Sequence, residues 1–476
     1  MNTLLKRELL DHLTSMRFPV ILVICLILLP VSFSVNHQDY RQRLADYNSA
    51  VNLHREKMAT SDVMEFVNGV YSVNAYRPPS PLSVFVKGLE DEIPSAYFVK
   101  RIDFLFQYSD PGRRLTMALS GGIDFLFLVQ VLFSLIAILV TYDAVCGEKE
   151  SGTLRAVLAN PIPRSSIILG KFIGAMSIIT IPFFISLLVG LIMLSAQGFP
   201  LRESGIPLRI GGIVAVALVY MAAFCCLGLF VSSRTRNSKT AVVLLLVLWV
   251  MVIYIIPKLG SIAATSLRPV RLEEVFAQEQ RLAVHHLELE QGKRLHDIWD
   301  NIPIDGNMPK EERQKRTMEH IKLAQPIRAE YARRIGDLLA KTDDAYEREN
   351  QRQQSLALSI ARLSPMSLLG TISTELAWTS FHERKRFTAE ARVFRNIIRR
   401  DLFSYIDVFY YPGGGSGMSF NRPPDFTLSA LPEFRYSRAS LTDTLILAGL
   451  DIILLVIIGL GAFALAYVSF LKYDVR

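Results

Sequence analysis

The sequence predicts an all-α membrane protein with six transmembrane helices, an N-terminal interfacial helix and a largely helical extracytoplasmic domain. Three observations carry that class. Only 20% of the 476 residues are charged, against about 25% in soluble globular chains. The mean hydropathy is +0.30. The apolar residues gather into runs at 18–35, 122–142, 167–195, 206–231, 241–257 and 441–470, near the roughly 20 residues that cross a bilayer. Helices are the spanning units that fit, because each satisfies its own backbone polar groups where lipid offers no partner.

The elements follow in chain order. In residues 1–17, Leu5, Leu9, Leu13 and Met16 share one helical face while Lys6, Glu8 and Asp11 lie elsewhere, the pattern of a helix lying in the membrane interface. The long apolar run after Arg17, with Pro30 late in it, reads as a signal anchor rather than a cleaved signal. Residues 36–121 are mixed and polar, with a proline-rich patch at 77–81, and periodicity leaves domain or long loop open. Residues 122–257 hold four spans. Residues 258–440 contain two stretches, 271–299 and 310–359, rich in Glu, Lys, Arg, Gln and Leu. Their apolar positions, Leu272, Val275, Leu282 and Leu289, then Ile321, Ile335, Leu338 and Leu339, recur at helical spacing. With the breaker at 301–309 between them, they predict an antiparallel helical hairpin. Pro326 is expected to end or kink the second helix near its start. Residues 411–424, rich in glycine, are expected to be a flexible loop; no GxxxxGK[ST] accompanies them. The last span, 441–470, leads to a tail at 471–476.

The short loops orient the spans. Lys6, Arg7 and Arg17 precede the first; Lys149, Arg155, Arg164 and Lys171 lie between the second and third; Arg234, Arg236 and Lys239 between the fourth and fifth; Lys472 and Arg476 after the sixth. The opposite short loop, 197–207, offers only Arg202. The positive-inside rule therefore puts both termini in the cytoplasm, in a cytoplasmic (inner) membrane, with 36–121 and 258–440 outside.

The formal net charge of +8 is accounted for by these flanking cations. No basic patch interleaved with aromatics points to nucleic acid. The four cysteines, Cys25, Cys146, Cys225 and Cys226, sit in or at the ends of apolar runs without C-x-x-C spacing, so neither a disulfide framework nor a zinc site is expected. His285 and His286 lack an H-E-x-x-H context and read as a solvated face. No nucleophile–base set appears, so no catalytic residue and no metal site is assigned, and the chain does not read as an enzyme.

Residues 142–171 carry the functional signal. A bare reversal between spans needs only a few residues. Here Glu148 and Glu150 lead into Leu154, Val157 and Leu158, an apolar stripe on a short helix that Pro161 and Pro163 end. Such a knob suits docking in a cleft of a soluble protein; the alternative is an amphipathic loop resting on lipid headgroups. The run Gly147, Glu148, Lys149, Glu150, Ser151, Gly152, Thr153 and Leu154, followed by Pro161, Arg164, Gly170 and Lys171, resembles the intracellular coupling element of type-2 ABC-transporter permeases. The six-span layout and the interface helix fit that family, and the resemblance covers the membrane half of the chain. It implies an exporter-type permease whose coupling helix, 147–161, docks on an ATP-binding subunit through Glu148, Glu150, Gly152, Thr153, Leu154, Arg155 and Leu158. It also implies two copies of that ATPase and a second permease, identical or a sister. ATP and magnesium would sit on the ATPase, with no cofactor on this chain. The large external insertions resemble a subgroup whose members serve gliding-motility and nitrous-oxide-reductase maturation systems, and they leave the substrate open.

Charges at mid-bilayer cost about 2.5–3.5 kcal/mol on insertion scales, so Asp451 in the sixth span, and Asp124 and Gln130 in the second, need an account. They could line a translocation path, or they could bond between helices or snorkel to outer water. The expected function is ATP-driven export or membrane extraction. The alternative is mechanotransmission, in which ATP cycles inside move the hairpin to work an extracytoplasmic protein. A receptor or scaffold unconnected with ATP is the third reading.

Overall fold

The computed structural model describes residues 8, 10, 13–61, 71–99, 105–107, 123–159, 163–304, 308–403, 406–411, 415–420 and 431–472. Most of the expected interfacial helix 1–17 lies outside them, as do Pro161 and the end of the tail. Among the described residues the fold is all-α apart from five short strands, and six helices are long and apolar enough to cross a membrane. Helix α1 spans Arg17–Thr60. Helix α2 runs from Phe125–Phe127 through a π-helical turn, Leu128–Phe133, into Ser134–Thr141. Two short helices follow, α3 (Cys146–Glu150) and α4 (Thr153–Leu158), then α5 (Arg164–Ala196) and α6 (Ile206–Arg234). Helix α7 runs from Ser238–Val250 through a second π-helical turn, Met251–Ile255, into Ile256–Leu267. Then come α8 (Glu273–Asn301), α9 (Lys310–Ala361), α10 (Pro365–Leu376), α11 (Phe381–Phe403) and α12 (Leu441–Leu471).

The chain divides into two compact units, one comprising Met1–Lys258, Ala361–Asn396 and Thr427–Arg476, the other Leu259–Ile360 and Ile397–Phe426. In the first, polar contacts show how the spans alternate. At one end Arg17 pairs with Asp143 at 2.5 Å, Lys149 donates to the Ser233 and Thr235 carbonyls, and Arg164 donates to the Leu471 carbonyl at 2.7 Å. At the other end Ser32 donates to the Ile123 carbonyl at 2.7 Å, and Arg209 donates to Thr444 Oγ1 at 3.2 Å. The starts of α1, α5 and α7 thus share an end with the termini of α2, α6 and α12.

Packing between spans is tight where side chains vanish. A Cβ on Gly228 would stand 1.8 Å from Thr141 Oγ1, and one on Gly190 2.4 Å from the Phe33 ring. Around these contacts lies a continuous apolar core that includes Leu29, Phe133, Phe183, Phe224 and Leu245. Helix α1, with 44 residues, is about 66 Å long at 1.5 Å per residue. It therefore runs well past the roughly 30 Å of hydrocarbon, and the start of the 36–121 segment is simply its continuation. Arg43 on this extension and Arg77 converge on buried Glu90, at 3.4 and 3.0 Å. That cluster fastens the turn Pro81–Val84 and the antiparallel strands β1 (Val73–Tyr76), β2 (Ala96–Val99) and β3 (Leu105–Gln107) to the helix.

Helix α10 had no counterpart in the sequence reading. Ser364–Pro365 is an N-cap and N1 signature, and Leu368, Leu369, Ile372 and Leu376 supply an apolar face. That face packs in the same core as the spanning helices α6 and α12.

The second unit holds the predicted hairpin. Partner numbers fall as α8 advances, from Arg271 with Glu349, through Gln280 with Thr342, to Arg294 with Glu330, so α8 and α9 are antiparallel. Helix α9 passes through Pro326 without ending. The contact face of α8 is not the leucine stripe. Leu272, Val275, Leu282 and Leu289 are exposed, and Val284 and Leu295 are buried instead. On α9, Tyr331, Ile335 and Leu339 are buried and Leu338 is half-buried; the side chain of Ile321 lies outside the described residues. The register follows the stack of Phe276 on Tyr346, with centroids 4.4 Å apart, and the flanking ion pairs. The glycine-rich stretch expected to be a loop instead contributes to an antiparallel pair, β4 (Ile406–Tyr411) and β5 (Gly415–Phe420). The β-branched and aromatic run Ile406, Val408, Phe409, Tyr410 and Tyr411 favours a strand more than the neighbouring glycines oppose one. Residues 412–414 and 421–424 of that stretch lie outside the described residues.

Candidate functional site

The segment 142–171 folds as two short helices, not one. Gly152 has φ +75° and nothing within 4 Å of a would-be Cβ, so it breaks the helix in a left-handed conformation that costs glycine little. Residues 160–162, the expected end of the element, lie outside the described residues.

The helix pair is fastened by its own chain through more than the Lys149 contacts already described. Glu148 pairs with Lys171 at 2.6 Å, and the Lys171 side chain is only 5% exposed. Glu150 accepts from Ser238 N–H and Oγ at 3.2 and 2.8 Å, capping the start of α7. Ser232 Oγ accepts from the backbone of Val145 and Cys146. Leu154 is buried in a cluster with Val145, Ile167, Ile168, Leu229, Ala466 and Phe470, and half-buried Val157 and Leu158 pack against it. The apolar stripe that sequence reading aims at a partner thus lies against the spanning helices. What remains exposed is the opposite face: Glu150, Ser151, Gly152, Thr153, Arg155, Ala156 and Ala159. Of the predicted docking residues, Gly152, Thr153 and Arg155 stand on this face. Glu150 is there too but is engaged by α7, and Glu148, Leu154 and Leu158 hold the helices in place.

The three polar residues of the spans each meet a partner inside the chain. Asp124 accepts from the N–H groups of Phe127 and Lys87, at 2.7 and 2.9 Å, and so caps α2. Gln130, on the first π-helical turn, donates to the Met366 carbonyl at 3.1 Å. Its own carbonyl, displaced by the π turn, accepts from Tyr220 Oη at 2.8 Å. Asp451 pairs with Arg362 at 2.5 Å. Ser364 Oγ donates at 2.6 Å to the Val252 carbonyl on the second π-helical turn, and Trp249 donates to Ser134 Oγ at 2.9 Å. Asp451 and Gln130 are therefore both bound to residues 362–366, and Asp124 is not.

Sequence reading missed Arg362 and Ser364. Arg362 is one of many cations along a polar stretch and nothing marks its depth; the serine–proline pair signals only a helix start. It also missed Arg209, which is 2% exposed. This guanidinium donates to the Leu376 and Ala439 carbonyls at 3.0 and 2.8 Å and lies 4.0 Å from the centre of the Trp378 ring. Trp378 itself has φ 57°, a strained conformation for an aromatic residue. Among the described residues no group of three or more His, Cys, Asp or Glu side chains could hold a metal ion.

A family model described as ABC-2 family transporter protein matches residues 2–475. Two curated relatives are each named as a probable ABC transporter permease protein NosY. The one from Pseudomonas aeruginosa is 33% identical over 123 residues, 26% of this chain and 44% of the relative. The one from Stutzerimonas stutzeri is 51% identical over 47 residues, 10% of this chain and 17% of the relative. The alignments thus span less than half the length of these relatives.

Proposed function

The chain belongs to the ABC-2 transporter family and is a multi-pass membrane protein, and on that premise we propose that it is a permease subunit. It couples ATP hydrolysis on a separate ATPase to export or membrane extraction of a substrate. The observation that carries this is the pair α3–α4. Its apolar side is bound to the spanning helices, and its exposed side shows Gly152, Thr153 and Arg155 with no covering element among the described residues. A handle fixed on one side and open on the other suits rigid docking: pre-organised elements lose less entropy on binding. ATP and magnesium belong to the ATPase. Two ATPase copies and a second permease complete the assembly, in a cytoplasmic membrane with α3–α4 and both termini inside. The NosY permeases are fitting company for this reading.

The test changes the exposed face alone. Thr153→Arg with Arg155→Glu should cut copurification of the ABC ATPase at least tenfold, or about 1.4 kcal/mol, while the melting temperature of the solubilised permease stays within about 2 °C of wild type, as surface changes usually do. Undiminished copurification removes the docking assignment. Leu154 is unsuited to this test, since its loss disturbs the fold as well.

A further inference from the structure

The two π-helical turns lie in different spans, yet both are bound to the same few residues. Gln130 on the turn in α2 holds the Met366 carbonyl, and Ser364 holds the Val252 carbonyl on the turn in α7. Two residues earlier Arg362 pairs with Asp451 on α12. Three spans thus converge on residues 362–366. Inserted π turns mark functional sites and hinges more often than ordinary helix does, because they free carbonyls and loosen the ladder locally. Here the freed Val252 carbonyl is tied down by this short segment and the freed Gln130 carbonyl by Tyr220 on α6, within an apolar core. Leaving any of them unpaired there would be costly.

The helix pair α3–α4 is joined to both spans with π turns, as it is to α5, α6 and α12. Helix α2 runs into α3, and Glu150 caps the first residue of α7. On the other side, residue 362 directly follows the 52-residue helix α9. We propose that residues 362–366 form the positioning node of the transport cycle. Movement of α3–α4 tilts the near halves of α2 and α7 about their π turns. The node, held by both turns, is displaced with them and carries the motion along the chain into α9. This rests on the docking reading above and assigns to Arg362 and Ser364 a role in coupling that the fold alone does not require.

The experiment uses the whole permease with its ABC ATPase in lipid nanodiscs. Amide hydrogen exchange is compared between the nucleotide-free and ATP–vanadate states. In wild type, exchange at 128–134, 251–255 and 361–369 should change together, by fivefold or more. In Ser364→Ala the response of 361–369 should disappear while ATPase copurification is unchanged. Ser364→Thr, which keeps the hydroxyl, should restore it. A purely structural role would shift exchange equally in both nucleotide states. If α3–α4 responds to nucleotide and the node does not, or if Ser364→Ala responds as wild type, the node is overturned and docking stands. If the wild-type chain retains no ATPase, both fall.

Discussion

The segment 142–171 and the α8–α9 hairpin present the same sequence signal and resolve it in opposite ways. Each has leucines at helical spacing beside charges. In α4 the stripe faces inward: Leu154 sits against Ile167, Leu229 and Phe470, and the polar side is left open. In α8 the stripe faces outward, and the contact with α9 runs along Phe276, Gln280, Val284 and Leu295 instead. The difference lies in what surrounds each helix. A short helix pressed against a bundle of spans buries whatever apolar side chain it has. A two-helix hairpin offers one line of contact, and here Phe276, Val284 and Leu295 occupy it while the leucine stripe stays exposed.

That comparison can be broken by matched substitutions. Leu154→Ala removes a buried side chain and should cost about 2–5 kcal/mol, seen as early proteolysis between α2 and α5 and a lower melting temperature. If Leu154→Ala is silent, the inward assignment of α4 is wrong. Gly228→Ala should cost about 1–3 kcal/mol by overpacking, because the new methyl meets Thr141; an unchanged melting temperature would show that the α2–α6 crossing is looser than described. Leu282→Ala, chemically the same change as at 154, should stay within about 0.5 kcal/mol, since Leu282 is 64% exposed. A large loss there would mean that the stripe of α8 is covered. Arg294→Ala should be smaller still, with no measurable change in melting temperature, because its pairing with Glu330 is solvent-exposed.

One pH effect belongs to neither region. Glu375, 2.5 Å away, raises the pKa of His382 above its ordinary value through their hydrogen bond, against the opposing effect of burial. A raised value means the protonated pair stabilises the fold fully below about pH 6.5, and the contribution fades as pH climbs through the raised value. Melting temperature should therefore fall with pH over that window in wild type and not in His382→Gln.

The spans and their number were legible because roughly 20 apolar residues in a row have few other uses. The hairpin was legible as two helices, from its breaker at 301–309, but not in its facing. Periodicity reports that an apolar face exists; it says nothing of what covers it. The short helical element between the second and third spans was legible through Gly152 and the charges before it. Which way its apolar stripe faces was not, since Leu154 looks the same whether a partner or the chain itself receives it. Helix α10 was least legible. Its depth depends on Arg362 meeting Asp451 and Ser364 meeting Val252, pairs 89 and 112 residues apart, and no local pattern encodes such a distance.

The most direct test of the account asks where the open face of α4 lies and what occupies it. The four native cysteines are buried, so a cysteine placed at Thr153 supplies the exposed thiol. Its labelling by a membrane-impermeant maleimide should occur in inside-out vesicles stripped of ATPase, fall when the ATPase is added back, and be absent in intact cells. Labelling from the outer surface of intact cells would contradict the account.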